Sequence, residues 1–278
     1  MEYSDVAICL GSALLHAGWN AAVKANRNPA QAMMAQMVLG ALFVVPGFYW
    51  AGLPHAASWP WIAASTATNM VTIFALLRAY ELGGFGSVYP VVRAVAVLLV
   101  VPFAALVAGD RLSLGAIGGV LIMAIALAVL AFDASRDKVV PIAALGWTLA
   151  AGCGTAVYIL CDARGVRASG SALSYGFVVS ITNAAAMCWR QRGQGSPLAQ
   201  IAGVWKMAVP TAVAALASYL MILWVWNHAP IAPSAALRDT SAVFAILIAV
   251  LFLKERFTRL RMAAVLLAAA SVPLLRLG

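Results

Sequence analysis

Val91–Ser113 reads VVRAVAVLLVVPFAALVAGDRLS, and Leu237–Thr258 reads LRDTSAVFAILIAVLFLKERFT. In each, an arginine (Arg93, Arg238) opens a long apolar run, and an acid-arginine pair (Asp110-Arg111, Glu255-Arg256) begins 17 residues later. A shift of 145 residues carries Arg93 onto Arg238, Asp110 onto Glu255, Arg111 onto Arg256, Leu112 onto Phe257 and Ser113 onto Thr258. Chance likeness among Ala/Val/Leu helices explains apolar matches but not these polar and boundary ones. The stretch is therefore read as one copy of an internal repeat.

The 278-residue chain is 64% hydrophobic and 10% charged, with a mean hydropathy of +0.94. Soluble domains are only about half apolar. A bilayer is crossed by about 20 mostly apolar residues, and such windows fall at 4–24, 31–52, 59–80, 85–107, 112–132, 140–162, 171–190, 203–226, 231–253 and 257–276. These ten spans leave little chain for a soluble domain. The first resembles the apolar core of a signal peptide, but Glu2 and Asp5 precede it where such a peptide carries Lys or Arg, so it is read as a retained span. ELGGFG (Glu81–Gly86) and HAPIAP (His228–Pro233) are so short that the spans they join must form antiparallel hairpins, whereas RQRGQGSPLAQ (Arg190–Gln200) is the longest polar connection.

The repeat divides the chain into halves at 1–137 and 138–278, each with five spans. An odd number of crossings makes the second copy enter the membrane in the opposite sense. The expected fold is thus all-α integral membrane, with ten transmembrane helices as two inverted five-helix repeats around a central cavity. Many secondary transporters are built this way, with the substrate site near the midplane between the halves.

HAGWNAAVK (His16–Lys24), YPVVRAVAVLLVVPFAALVAGDRLS (Tyr89–Ser113) and the matching Leu237–Thr258 stretch resemble the drug/metabolite transporter superfamily, in its ten-helix EamA branch. The likeness covers essentially the whole chain. Asp110 stands for the common glutamate, Lys254 where glycine is usual, and Ser241 near a position where many members carry proline. The resemblance implies a multi-pass protein of a bacterial inner membrane, working without a cofactor, and exporting amino acids (aromatic and other small ones) or related metabolites. It is most similar to bacterial exporters of aromatic amino acids.

Arg93 lies eight residues into its span, about 12 Å below the helix end at 1.5 Å per residue. Charges at that depth normally face a partner or a wet cavity. Arg238 has the comparable depth in the inverted copy, so both guanidinium groups are expected to look toward one central region and form the anion-selective end of a cavity. Pairing that merely locks helices together is the alternative for each. For the ammonium group of a zwitterion the candidates are Asn20, Ser87, Asp239 and tyrosine faces. Trp19, Tyr80, Tyr89, Tyr158, Trp224 and Trp226 are candidate walls, since binding cavities are mostly apolar with a few placed polar groups; packing or lipid contact is the competing role. His16 and Asn20 lie four apart and share a helix face, suited equally to substrate contact or to a buried interhelical bond. Trp50, Trp59, Trp61, Trp189 and Trp205, at span ends, read as interfacial anchors.

Pro90, Pro230 and Pro233 remove backbone donors and are expected to loosen helix starts beside the arginines. Gly11, Gly18, Gly115 and Gly119 read as close helix contacts. Asp110 and Glu255 are expected to cap the helices that follow them.

Other classes fare worse. The net charge of +9 is not gathered with aromatics into a nucleic-acid face. Cys9, Cys153, Cys161 and Cys188 form no CxxC pair and read as small buried residues, with neither disulfide nor metal implied. Three separated histidines offer no catalytic constellation, and no soluble domain suggests a scaffold or receptor. The expected partners are the bilayer and a small-molecule substrate, with no nucleic acid and a monomeric protein. The middle of the first span lacks the acid that small four-helix multidrug relatives use to exchange protons, and Asp239 reads as the one clear intramembrane carboxylate. Gradient-driven export is therefore favoured over the alternative, a proton-coupled exporter of drugs or metabolites. Loops after odd-numbered spans hold most of the Lys and Arg, against Arg111, Arg164, Arg167 and Arg276 on the other side. The positive-inside rule then places both termini outside.

Overall fold

The computed structural model describes residues 1–83, 85–109, 112–136, 141–253 and 257–277. Its helices are α1 (Tyr3–Lys24), α2 (Pro29–Val44), α3 (Phe48–Ala51), α4 (Trp59–Gly83), α5 (Phe85–Ala108), α6 (Leu114–Ser135), α7 (Ile142–Ser169), α8 (Ala172–Gln191), α9 (Pro197–Ala202), α10 (Trp205–Trp226), α11 (Ile231–Asp239), α12 (Ser241–Leu253) and α13 (Arg259–Arg276). No strand occurs among the described residues. In lipid only a helix satisfies its own backbone polar groups segment by segment, and among the described residues 9 helical segments are long and apolar enough to cross a membrane. The chain is an all-α, multi-pass membrane protein. Helix α13, with 18 residues, carries Arg259, Arg261 and Arg276 near its ends.

Local signals set most boundaries. Asn28 accepts a hydrogen bond from the Gln31 backbone N–H ahead of α2, and Pro29 occupies its first position. Ser113 caps α6 through Ala116 N at 3.1 Å, and Thr258 caps α13 through Arg261 N at 3.1 Å. The acids expected to do this, Asp110 and Glu255, lie outside the described residues, as do their neighbours Arg111, Lys254 and Arg256.

Three windows differ from their sequence reading. The second is interrupted by a 3₁₀ turn at Val45–Gly47, around Pro46, where the ring removes a donor. The sixth continues to Ser169 and ends at Gly170, whose φ of 77° only glycine adopts freely. The ninth is broken at Thr240, and not at the prolines before it. Pro230 is the N-cap of α11 and Pro233 its third residue, positions whose N–H has no helical partner anyway. Thr240 Oγ1 donates back to the Leu237 carbonyl at 2.7 Å and closes the end of α11. The long polar connection also folds: α9 forms within it, and Gln31 Nε2 ties it to α2 through the Gln200 carbonyl at 2.7 Å.

Helix α4 packs on α7 and α1 on α10; α5 packs on α7 and α1 on α11 and α12; α4 and α2 pack on α8 and α10 respectively; α2 meets α8, and α6 meets α13. Small residues permit these approaches. Ser12 and Ser218 each donate to the other's carbonyl, at 2.7 and 2.8 Å, across the α1–α10 seam. At Gly119 on α6, a Cβ would stand 2.8 Å from the Leu275 backbone nitrogen on α13. Gly119→Val is accordingly expected to cost about 1–3 kcal/mol, the usual range for overpacking, read as a lower melting temperature of the purified protein.

The helix ends reveal which elements share a face of the bundle. The Met1 amino group donates to the Arg276 carbonyl at 3.0 Å, and Ser113 Oγ to the Leu277 carbonyl at 2.8 Å, so the starts of α1 and α6 lie beside the end of α13. Arg167, near the end of α7, donates to the Trp226 and Ala229 carbonyls at 2.9 and 2.8 Å, bracketing the turn from α10 to α11. His228 in that turn meets Asp5 of α1 at 2.9 Å. Trp50, Trp59, Trp189 and Trp205 are exposed at helix ends, as anchors would be. Cys9 and Cys161 are buried, but Cys153 is exposed and Cys188 only partly buried, contrary to their reading as small buried residues.

Candidate functional site

A cavity with about 200 Å³ of water-accessible space lies between the helices. It is walled by α1, α2, α4, α5, α7, α8, α10 and α11; α6 and α13 pack against each other and contribute nothing to its lining. Toward the face where α1 begins it is closed. There the whole of α11 is buried, as are Ala163, Val166 and Ser169 of α7, and the ends are stitched by the Arg167 and His228 contacts described above. Toward the opposite face the walls are the later part of α1, α2 from Met33 onward and α5 from Tyr89 onward.

Of the residues singled out from sequence, His16, Trp19, Asn20, Tyr89, Arg93, Tyr158 and Arg238 line this cavity. Asn20 Nδ2 donates to the His16 carbonyl at 2.9 Å, a bond within α1 that fixes the amide beside the imidazole, whose ring meets Trp19 edge-on at 4.9 Å. Tyr89 Oη lies 3.1 Å from Ser241 Oγ, joining α5 to the start of α12.

The two arginines differ in their surroundings. Arg93 forms an ion pair with Asp239, and both side chains are buried. Asp239 is wholly buried and does not line the cavity, so it is the partner of Arg93 and not a wall residue. Arg238, at 5% exposure, has no carboxylate within ion-pair distance among the described residues. Its Nη2 approaches His16 Nδ1 at 3.4 Å, its guanidinium stands 6.0 Å from the Trp226 ring, and its Nε finds no hydrogen-bond acceptor among the described residues. The neighbour in sequence does not neutralise it because successive helical residues point about 100° apart.

Three candidates lie away from the cavity, and a fourth is not described. Trp226 is fully buried behind Arg238, as a packing face and not as cavity wall. Trp224 is 47% exposed and meets His228 edge-on at 4.5 Å; α10 buries Ile222, Leu223, Val225 and Trp226 and turns Trp224 the other way. Tyr80 packs in the apolar cluster of α4, α5 and α7 and does not reach the cavity. The side chain of Ser87 lies outside the described residues.

The sequence reading missed Asp162. Placed at the end of the sixth window, it resembled a boundary acid, but α7 runs seven residues beyond it. Its carboxylate is 1% exposed, lines the cavity, and accepts hydrogen bonds from Ser65 Oγ (2.5 Å), Tyr175 Oη (3.1 Å) and Tyr219 Oη (2.9 Å). It joins α4, α7, α8 and α10 at one point. Asp239 is therefore not the one intramembrane carboxylate. The signal available was the polar run CDARGVRAS (Cys161–Ser169), followed by glycine, which extends a helix as readily as it starts a loop.

Further polar atoms face the same region. Trp19 Nε1, Gln36 Oε1 and Asn183 Oδ1 belong to lining residues, are buried, and have no hydrogen-bond partner among the described residues. Buried polar atoms are almost always paired, so these three leave hydrogen-bonding capacity on the cavity wall. No group of His, Cys, Asp and Glu fit to hold a metal ion occurs among the described residues.

No family model matches the sequence, and no curated protein does. The fold is shared with 29 chains of solved structure. One of these, described only as the crystal structure of a protein, aligns over 100% of this chain and 99% of its own with a TM-score of 0.77 and 17% identity. At that identity the likeness establishes the fold alone.

Proposed function

We propose that this protein is a transporter of the ten-helix drug/metabolite type, exporting amino acids and similar small carboxylate-bearing metabolites by alternating access. The observation that carries the reading is Arg238: a buried guanidinium on the wall of a central cavity, with no carboxylate within ion-pair distance among the described residues. A buried charge is expensive unless paired, and a carboxylate entering the cavity supplies the missing partner through the planar fork that arginine presents.

The architecture supports alternating access. With α13 as a tenth crossing, the number is even, in keeping with the hydrogen bond between Met1 and Arg276 on one face. A shift of five crossings turns the α4–α7 contact into α10–α1, α5–α7 into α11–α1, and α4–α8 into α10–α2, while α2–α8 and α6–α13 map onto themselves. This symmetry of contacts supports the reading of two inverted copies about an axis in the membrane plane. The cavity is lined by the later part of α1, on the side of Lys24 and Arg27, which the positive-inside rule assigns to the cytoplasm. A substrate then loads from within, the direction required for export across a bacterial inner membrane.

Purified protein in liposomes is expected to equilibrate labelled tryptophan or threonine across the bilayer at rates well above protein-free vesicles. No flux for any member of a panel of amino acids and related acids would leave a non-transporting scaffold or receptor. The same vesicles decide the energy source. Gradient-driven export predicts flux insensitive to an imposed pH gradient, whereas strong acceleration assigns proton coupling, for which Asp162 is the candidate, since Asp239 is committed to Arg93.

A further inference from the structure

We propose that Asp162, with Ser65 and Tyr219, forms an ammonium subsite that makes the cavity select zwitterions over simple carboxylates. The inference rests on the transport reading above and deepens it, by assigning the second pole of the substrate to residues that the family-like stretches do not contain.

Three observations converge. First, among the described residues Asp162 is a buried carboxylate with no cation within ion-pair distance, and it borders the same cavity as Arg238, a buried guanidinium with no carboxylate within that distance. The two stand at matched depth. Asp162 is seven residues before the end of α7 and Arg238 seven residues after the start of α11, and Arg167 hydrogen-bonds those two regions together. At 1.5 Å per residue both lie about 10 Å below that junction.

Second, the hydrogen-bond polarity suits a donor-only ligand. Ser65 and Tyr219 spend their hydroxyl hydrogens on Asp162. Each hydroxyl oxygen keeps lone pairs, and a carboxylate has acceptor capacity for about four hydrogen bonds, one more than the three it receives here. Since Asp162, Ser65 and Tyr219 all line the cavity, this patch of wall offers acceptors alone. An ammonium group has three N–H donors and no acceptor, so its requirements are met, while a second carboxylate there is repelled.

Third, Arg93 and Asp239 are paired in charge with each other, and so the cavity wall otherwise offers a ligand one cation and one anion. That pair matches a molecule bearing one carboxylate and one ammonium, as every neutral α-amino acid does.

The test uses full-length protein in lipid nanodiscs and three isosteric probes: phenylalanine, 3-phenylpropanoate, which lacks the ammonium, and phenethylamine, which lacks the carboxylate. The wild type is expected to bind phenylalanine at least tenfold more tightly than either analogue. In Asp162→Asn the advantage of phenylalanine over 3-phenylpropanoate should collapse toward unity, with 3-phenylpropanoate binding as before or more tightly. Tyr219→Phe and Ser65→Ala keep the carboxylate and remove one acceptor each, and should shrink the same ratio severalfold; they also stand in if Asp162→Asn fails to fold. An unchanged ratio in all three variants, or an equal loss of both ligands, overturns the subsite and leaves Asp162 as a tie between helices. Arg238→Gln separates the two levels of inference. If it weakens phenylalanine and 3-phenylpropanoate alike while the Asp162 variant changes nothing, only the ammonium subsite falls. If it affects neither, the carboxylate reading of the cavity falls as well.

Discussion

Arg238→Gln is expected to cut amino acid flux in liposomes by roughly 30- to 4000-fold while leaving the melting temperature unchanged or raised. Truncating one side of a buried charge pair costs about 2–5 kcal/mol, which at about 1.4 kcal/mol per tenfold gives that range. The loss falls on the complex, because the partner charge belongs to the substrate. In the substrate-free protein the same guanidinium is a liability: it is 5% exposed and has no carboxylate beside it among the described residues. Its removal relieves a desolvation cost. Opposite signs for transport and stability separate this outcome from a general folding defect. A variant that loses stability and flux in proportion would instead make Arg238 a structural element.

Arg93→Gln should behave in the reverse manner. Its partner Asp239 is fully buried, so removing the guanidinium strands an anion between α5 and α11. Breaking a buried pair from one side costs about 3–5 kcal/mol, enough to lower the yield of folded protein sharply. Asp239→Asn should cost a similar amount, and the Arg93→Gln/Asp239→Asn double variant should recover most of the loss, since neither charge is then left alone. Thermal unfolding of the three variants completes the cycle. The double variant should also keep more transport than Arg238→Gln, even though Arg93 borders the cavity. Additive losses would mean that the two groups do not stabilise each other.

These contrasting expectations show where the sequence reading stopped. The repeat aligns Arg93 with Arg238 and treats them as equivalents, two guanidiniums facing one hollow. Both do line the cavity. What makes them different is a single residue, Asp239, which follows Arg238 in the chain but serves Arg93 across the bundle. The aromatic candidates divided for a related reason. Trp19, Tyr89 and Tyr158 reach the cavity, and Trp224 and Trp226 do not, because the azimuth of α10 is fixed by its contacts with α1, α2 and α8. Neighbouring apolar residues carry no hydropathy difference that would reveal this orientation.

Asp162 is the sharpest case. A window of hydropathy ends at the first cluster of polar residues, and Cys161–Ser169 is one. In the folded chain that cluster stays helical and Asp162 is buried within it, where hydroxyls from three other helices reach its carboxylate, partners lying 13 to 97 residues away in sequence.

The sequence by itself determined that this chain lives in a bilayer, roughly where it crosses, and at which depths its two arginines sit. Hydropathy and position along a helix are one-dimensional properties, and a helix in lipid closes its backbone hydrogen bonds without help from its neighbours. Tertiary structure alone decided which charges neutralise each other, which aromatics face inward, and that a carboxylate at an apparent span end belongs to the cavity wall. Those outcomes depend on the lateral order and rotation of helices, which many small packing contacts between distant segments fix together, so no local stretch of sequence records them.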